Sequence, residues 1–470
     1  MNSRRDFLRS ACLGGASIAL SPAAARRPNF LVLLTDDQRF DTVRALGHPE
    51  VRTPNMDRLA ARGVAFTHAC IQGGLVPAVC MPSRAQLMTG RSVFRVHQQV
   101  IPQQNSPGPS IVTFPQRLRE AGYVTFGTGK WHNGPALFNR SFSHGGGIFF
   151  GGMADHLKTP VFEYDPSGKY PKQNSRPAGE FSSRAFAGEA VRFLKERDRS
   201  KPFLTYVAFT SPHDPRMAPR EFEDLFPPSK VALPKNFLPV HPFDNGEMKV
   251  RDETLAPIPR TADEIRRHIA AYYAMIAEVD ANIGRVLDAL EQSGEVGNTY
   301  VIWAADNGLA VGQHGLLGKQ NMYDHSLRVP MVISGPGIPG GRRAHSMCQL
   351  MDLCPTICEL AGVPPPQPLD ARSLRPALRN QSAPLRGVVV AAYRNVQRAV
   401  RTDRWKLVLY NVEGRKTVQL FDLREDPLEM KNLAEDAAHA KRVAELKALL
   451  ARELKAAGDT IELDAAVWPA

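Results

Sequence analysis

Between residues 29 and 305 the chain alternates short apolar runs with amphipathic helical stretches, and that alternation narrows its architecture more than any other feature. Asn29–Leu34 is apolar nearly throughout, the pattern of a strand buried on both faces. Val64–Phe66, Tyr123–Phe126, Phe203–Phe209 and Thr299–Ala304 repeat it. Helices fall between them. Thr53–Leu59 has Thr53 as its cap, Pro54 at the first helical position and Gly63 as its stop. Pro115–Ala121 closes on Gly122, Ser183–Glu196 follows, and Asp263–Gln292 is the longest. Strand–helix–strand units need crossovers, which lay helices over both faces of a sheet. The predicted fold class is α/β: a large mixed, mostly parallel sheet flanked by helices. The prolines at 364–366 and 368 mark a change of composition. Strand-like Gly387–Ala391 and Trp405–Tyr410, then a helix over Asp436–Ala457, predict a smaller C-terminal α+β domain at 379–470 after a main domain at 26–378. Residues 98–110 and 157–178 read as loops. The proline-rich segment 214–260 reads as a long surface excursion, a kind of segment that usually carries function.

A hydrophobic share of 43% excludes disorder as the dominant state, and no apolar run approaches the ~18 residues of a membrane span. The formal charge is +12, yet no run of Lys or Arg exceeds two residues, as at Arg266–Arg267 and Arg342–Arg343. Dispersed charge of this kind is a solvated surface, so no nucleic-acid partner is expected, and an anionic substrate fits the sign better. Residues 1–25 read as an address. Arg4-Arg5-Asp6-Phe7-Leu8, the apolar stretch Ala11–Leu20 and Ala23-Ala24-Ala25 resemble a twin-arginine export signal with its cleavage site. The expected location is therefore periplasmic or extracellular in a bacterium, without stable membrane insertion, after passage through the twin-arginine export machinery. Cys70, Cys80, Cys348, Cys354 and Cys358 remain after cleavage, an odd number for an exported chain. Cys354 and Cys358 sit in an apolar helical stretch and read as buried thiols, which leaves Cys80 to be explained.

Chargeable residues recur at one place in each unit. Asp36 and Asp37 follow the first strand, and Lys130 and His132 follow the strand ending near Phe126. His213 follows the strand ending at Phe209, and Asp306 and Asn307 follow the strand ending at Ala304. Ligands of open α/β sheets bind at the carboxyl ends of the strands, so four such coincidences predict one site. Asp36, Asp37, Asp306 and Asn307 offer only oxygen, a set suited to a hard divalent cation, calcium before magnesium. Lys130, His132, His213 and Lys319 are suited to binding and protonating an anion. Taken singly, each of these residues reads as well as an ordinary turn, cap or surface group.

The most specific local signal is Cys80-Met81-Pro82-Ser83-Arg84, followed by Thr89-Gly90. It resembles the signature of the type I sulfatases of the alkaline phosphatase superfamily, in which the cysteine is oxidised to Cα-formylglycine. Gly129-Lys130-Trp131-His132, Ser211-Pro212-His213, Asp306-Asn307-Gly308, Gly312-Gln313-His314-Gly315, Lys319 and Leu420-Phe421-Asp422-Leu423 follow in that family's order. The resemblance implies an alkaline-phosphatase-like fold and calcium held by Asp36, Asp37, Asp306, Asn307 and the modified Cys80. It further implies that Arg84 stabilises the hydrated formylglycine, that Lys130, His213 and Lys319 hold sulfate oxygens, and that His132 assists the nucleophile. His213 or Lys319 would protonate the leaving oxygen. It implies a formylglycine-generating enzyme as maturation partner, and the export context favours a sulfated carbohydrate as substrate. A hydrated aldehyde suits this chemistry because one hydroxyl attacks sulfur while the other later loses its proton as sulfate leaves, splitting one hard step into two. Two other readings share the segment: a phosphonate or phosphodiester hydrolase on the same scaffold, and an inactive sulfated-glycan binding protein. Arg216, close to His213, is expected to meet a sugar hydroxyl or carboxylate. Asn133, Asp324 and the stretch Arg95–Gln104 depart from the family's usual pattern.

Overall fold

In the computed structural model of the chain residues 26–469 are described, and the export signal read at 1–25 lies outside them. Eight strands form the main sheet: β1 (Asn29–Thr35), β2 (Gly63–Phe66), β3 (Val124–Lys130), β4 (His144–Phe149), β5 (Phe203–Ala208), β6 (Thr299–Ala305), β7 (Met331–Ser334) and β8 (Arg342–Ala344). Their order is β8-β2-β7-β6-β1-β5-β3-β4. β7 runs antiparallel to both neighbours, β6 and β2. The other pairings are parallel, as expected of a mixed, mostly parallel α/β sheet.

The helices that cover it are α1 (Pro54–Arg62), α2 (Cys80–Thr89), α3 (Phe114–Glu120), α4 (Ser182–Glu196), α5 (Ala262–Gln292) and α6 (Leu353–Ala361). Alternate side chains of β1 enter two cores. Phe30, Val32 and Leu34 pack with Ala85, Leu87 and Met88 of α2, Leu118 of α3 and Ile357 of α6. Leu31 and Leu33 pack with Met56 and Leu59 of α1, Phe186 and Ala190 of α4, and Ile283 and Val286 of α5. Each such side chain contributes roughly 1.5–3 kcal/mol on burial, before chain entropy is counted.

Two local expectations are realised differently. Thr53 does not cap α1; its hydroxyl instead donates to Asp57 Oδ1 (3.1 Å). The orphan amides of Asn55 and Met56 donate to Asp280 of α5 (3.1 and 2.8 Å), so a tertiary contact does the capping. Gly63 ends α1 in an extended conformation and opens β2, and a Cβ there would lie 2.3 Å from the Ile333 carbonyl oxygen of β7. Close strand approach, not a turn, requires the glycine.

A second sheet is antiparallel: β9 (Val389–Tyr393), β10 (Gln397–Arg401), β11 (Trp405–Val412) and β12 (Arg415–Asp422). The two-residue strand Gly73–Gly74 adds to it in parallel beside β9. Helix α7 (Ala440–Ala457) lays Leu446, Leu450 and Leu454, spaced by four, against Val400, Leu407 and Leu420. The excursion 214–260 holds only short helical turns, at Arg220–Glu223, Pro228–Lys230 and Arg251–Leu255.

Candidate active site

The strands that deliver the polar residues are neighbours. β6, β1, β5 and β3 are adjacent and mutually parallel, so their carboxyl ends share one edge. Asp36 and Asp37 leave β1, Asp306 and Asn307 leave β6, and His213 follows β5. β3 runs four residues past Phe126 and ends on Lys130 itself. That extension passes through Gly129, whose φ is 83° and where a Cβ would lie 1.9 Å from the Ala208 carbonyl oxygen. Only glycine brings Lys130 so close to β5. Asp37 and His132 also hold positive φ, at 64° and 58°. Left-handed backbone at non-glycine residues is costly and collects at functional sites.

The side chains converge around Cys80, the first residue of α2. Lys130 Nζ lies 2.5 Å from Asp36 Oδ2 and 3.5 Å from Cys80 Sγ. His132 Nδ1 is 3.3 Å from the same sulfur. Arg84 Nε donates to Asp306 Oδ2 (2.8 Å), its Nη1 donates to the Lys130 carbonyl, and its Nη2 is 3.5 Å from Asp36 Oδ2. Lys319 Nζ donates to Asp37 Oδ1 (2.6 Å), and Asn307 Nδ2 donates to the same oxygen (2.5 Å). His213 Nε2 is 3.7 Å from Asp37 Oδ2, while its Nδ1 lies 2.7 Å from the Asp214 carbonyl oxygen. All the residues put forward from the sequence for catalysis and metal binding therefore meet in one place.

Burial and charge set their protonation. Burial, with Lys130, Arg84 and Lys319 nearby, pushes His132 down to about 2, so its imidazole is neutral. Burial and Lys319 lower His213 to about 4. Burial raises the Cys80 thiol against the pull of Lys130 and Lys319. Burial alone would raise Asp37, but Lys319, His213 and Lys130 hold it well below the usual carboxylate range. Burial and the neighbouring Asp36 carboxylate push Asp306 up to about 6.

Two acceptors are buried here without a hydrogen-bond partner, Asp36 Oδ1 and Asn307 Oδ1. Ligand atoms of Asp36, Cys80 and Asp306 lie within 4.8 Å of one another, as do those of Asp36, Asp37 and His213. Unpaired, closely grouped oxygens fit a hard divalent cation. A cleft of about 510 Å³ lined by Arg39, His48, Lys235 and Arg328 lies elsewhere, and none of the candidate residues lines it.

Arg216 is only partly exposed. Its guanidinium turns inward, with Nη1 2.7 Å from His268 Nδ1 and Nη2 donating to the Leu317 carbonyl. Arg251 is the exposed arginine instead, paired with Asp214 beside His213. No periodicity or motif marks Arg251 and its neighbours Asp252 and Glu253 within the irregular excursion, so the sequence does not single them out. Among the described cysteines, Cys70, Cys80, Cys348, Cys354 and Cys358 are buried and free.

A cysteine facing two lysines, two histidines and an oxygen-rich acidic cluster, at the carboxyl edge of a mostly parallel sheet, defines a hydrolase built for anionic esters. The chain belongs to the sulfatase family, whose profile matches residues 28–363, and it is a sulfuric ester hydrolase. A second profile, N-sulphoglucosamine sulphohydrolase, C-terminal, matches residues 312–456. The N-acetylglucosamine-6-O-sulfatase of Bacteroides thetaiotaomicron is 28% identical, with 90% of this chain and 86% of that one covered. A protein solved in complex with its substrate D-glucosamine-2-N,6-O-disulfate superposes with a TM-score of 0.78 at 24% identity, covering 93% of this chain and 100% of that one. The phosphonate monoester hydrolase of Agrobacterium radiobacter superposes with a TM-score of 0.72 at 25% identity, covering 92% and 96%. Among the described residues, no helix is long and apolar enough to cross a membrane.

Proposed function

We propose that this protein hydrolyses sulfate monoesters of a sulfated carbohydrate, using a Cα-formylglycine made from Cys80 and a calcium ion held by Asp36, Asp37, Asp306 and Asn307. The observation that carries the reading is the position of the Cys80 sulfur, 3.5 Å from Lys130 Nζ and 3.3 Å from His132 Nδ1, in ligand range of Asp36 and Asp306. Hydrated formylglycine would supply paired hydroxyls on one carbon, and calcium the positive charge that draws the sulfate in. Calcium is preferred to magnesium because it accepts a larger, less regular oxygen set.

The chain's own residues do the rest. Arg84, locked by Asp306 and the Lys130 carbonyl, steadies the group at position 80. Lys130 and Lys319 bind sulfate oxygens, with Asp36 and Asp37 fixing where each ammonium stands. His132, neutral at working pH, accepts a proton from position 80 at Nδ1. His213, oriented by the Asp214 carbonyl, stands with Lys319 beside Asp37, and one of the two protonates the leaving oxygen. Losing any one such donor typically costs on the order of 100-fold or more in rate.

The likeness to an N-acetylglucosamine-6-O-sulfatase supports a sulfated sugar as substrate. The N-terminal address supports a periplasmic or extracellular enzyme that meets a formylglycine-generating enzyme and then the twin-arginine machinery. A main domain at 26–378 and a small one at 379–470 remain our division of the chain. The likeness to a phosphonate monoester hydrolase supports one competing activity on the same residues. Mass spectrometry of the peptide spanning residue 80 is expected to show an aldehyde in place of the thiol. Converted, calcium-loaded protein is expected to prefer an aryl sulfate to an aryl phosphonate or phosphodiester. An unmodified thiol in active enzyme, or the opposite preference, would defeat the proposal.

A further inference from the structure

The turn Arg251–Leu255 carries consecutive charged residues that touch no reacting atom yet grip the frame of the site from two sides. Arg251 Nη2 donates to Asp214 Oδ1 (3.0 Å), next to His213. Asp252 Oδ2 accepts from Gln320 Nε2 (2.9 Å), whose Oε1 accepts the Lys319 amide (2.9 Å). Glu253, 5% exposed, is held most firmly. Its carboxylate accepts the amide of Leu317 (3.1 and 3.0 Å), the amide of Gly318 (2.8 Å) and Nη2 of Arg260 (2.6 Å). Those amides belong to the two residues immediately before Lys319. The carbonyls beside them are also engaged: Leu317 accepts from Arg216 (3.4 Å), and Gly318 accepts from the Ala310 amide (2.9 Å) and Asn321 Nδ2 (3.1 Å). A Cβ on Gly318 would lie 2.5 Å from Gln320 Oε1 and 3.0 Å from Glu253 Oε1, so both side chains pack directly against this backbone.

We infer that Glu253 is a positioning residue for Lys319, fixing the backbone from which that ammonium reaches Asp37 and the substrate's sulfate. The inference rests on the sulfatase reading, in which Lys319 holds a sulfate oxygen. A lysine has a long, flexible stem and can be placed only by anchoring its backbone. Charge-assisted bonds from two amides and a guanidinium to one buried carboxylate are stronger than neutral ones. An amide in place of the carboxylate offers one acceptor oxygen and turns a donor toward donors, so at least one buried N–H loses its partner. A displacement of about 1 Å at a positioning group is enough to lower a rate on the order of 100-fold.

The test is a double-mutant cycle on converted, calcium-loaded full-length enzyme. kcat/KM is measured with para-nitrophenyl sulfate for wild type, Glu253→Gln, Lys319→Ala and the double variant. Glu253→Gln is expected to lower kcat/KM by roughly 30- to 100-fold alone and by less than about 3-fold in the Lys319→Ala background. Equal factors in both backgrounds, or no loss in the single variant, would overturn the inference. Where Glu253→Gln melts below the assay temperature, Glu253→Asp, which keeps the charge but draws it back by one methylene, takes its place in the cycle. Calorimetric titration with inorganic sulfate repeats the cycle as a binding measurement, with the same non-additivity expected. A wild-type enzyme that turns over no sulfate ester would defeat the sulfatase reading instead, and the binding cycle alone then decides the role of Glu253.

Discussion

Two buried ionic clusters in this protein use the same residue types and arrange them to opposite ends. Under the second sheet, Asp324 spends both carboxylate oxygens. Oδ1 accepts from Lys406 Nζ and from Arg401 Nε (3.3 Å), and Oδ2 accepts from Arg401 Nη2 (3.2 Å) and Arg328 Nη1 (3.3 Å). Its amide donates to Glu429 Oε2 (2.7 Å), and Lys406 Nζ lies 2.6 Å from Glu429 Oε1. Burial would raise Asp324, yet Arg401, Lys406 and Arg328 hold it far below the usual range. At the carboxyl edge of the main sheet, by contrast, Asp36 Oδ1 and Asn307 Oδ1 stay unpaired and Asp306 is pushed up to about 6. Glu429 Oε1 is also left without a hydrogen-bond partner, and burial pushes Glu429 up to about 7. The difference therefore lies at the centre: Asp324 is fully paired and pins strands together, whereas the unpaired oxygens of Asp36 and Asn307 sit among candidate metal ligands. The lesson is that unpaired acceptors grouped with other ligand atoms, more than a buried charge or a lone unpaired oxygen, mark where an ion is held.

If that contrast is sound, substitutions should separate activity from stability. The largest effect is expected from Cys80→Ser, which should lower kcat/KM by at least ~10⁴-fold while moving Tm by less than about 2 °C in a thermal melt. Asp324→Ala should do the reverse, destabilising by roughly 3–5 kcal/mol in denaturant titration while molecules that remain folded keep kcat/KM within about 3-fold. Divalent-ion chelation should reduce activity by on the order of 100-fold and lower Tm, with calcium restoring both. A melt that ignores chelation would erase the distinction between the clusters.

The smallest expected effect concerns a third buried acid, Glu278 of α5. Burial pushes it from 4.5 up to about 8, although Asn282 Nδ2 donates to its Oε1 (2.6 Å). Below the unfolded value both states carry the proton. Between about pH 4.5 and 8 the folded state keeps a proton that the unfolded chain has lost, so stability falls as pH rises through that window. Glu278→Gln should flatten this slope and gain roughly 3–4 kcal/mol over wild type at pH 8 relative to pH 5, read as urea midpoints. An unchanged slope would show that Glu278 ionises freely in place.

Much of this was legible in the chain. β1, β5 and β6 announce themselves because strands buried on both faces must be apolar throughout. The site follows from them, since each delivers its polar residues directly after its last apolar one. From the sequence β3 ends near Phe126 because Gly127-Thr128-Gly129-Lys130 carries no apolar period, although the strand runs on to Lys130 through a register shift at Gly127–Gly129. β10 and β12 do not stand out in the sequence for a related reason: Gln397–Arg401 and Arg415–Asp422 are rich in charge, and their pairing partners, not their side-chain pattern, make them strands. Arg216 and Arg251 show the limit for the site. Both lie in the same excursion, and only the tertiary path of 214–260 decides which one is drawn inward and which stays exposed beside Asp214.

Gly73–Gly74, just upstream of Cys80, zips onto Ala392 and Tyr393 near the far end of the chain. A Cβ at Gly73 would collide with the Ala392 carbonyl oxygen at 2.3 Å, so this seam closes tightly, and Cys80 is only 2% exposed in the finished fold. During synthesis the thiol leaves the ribosome some three hundred residues before the strand that pairs with Gly73–Gly74. A maturation enzyme that needs an extended peptide around that sulfur would have to act before this seam closes.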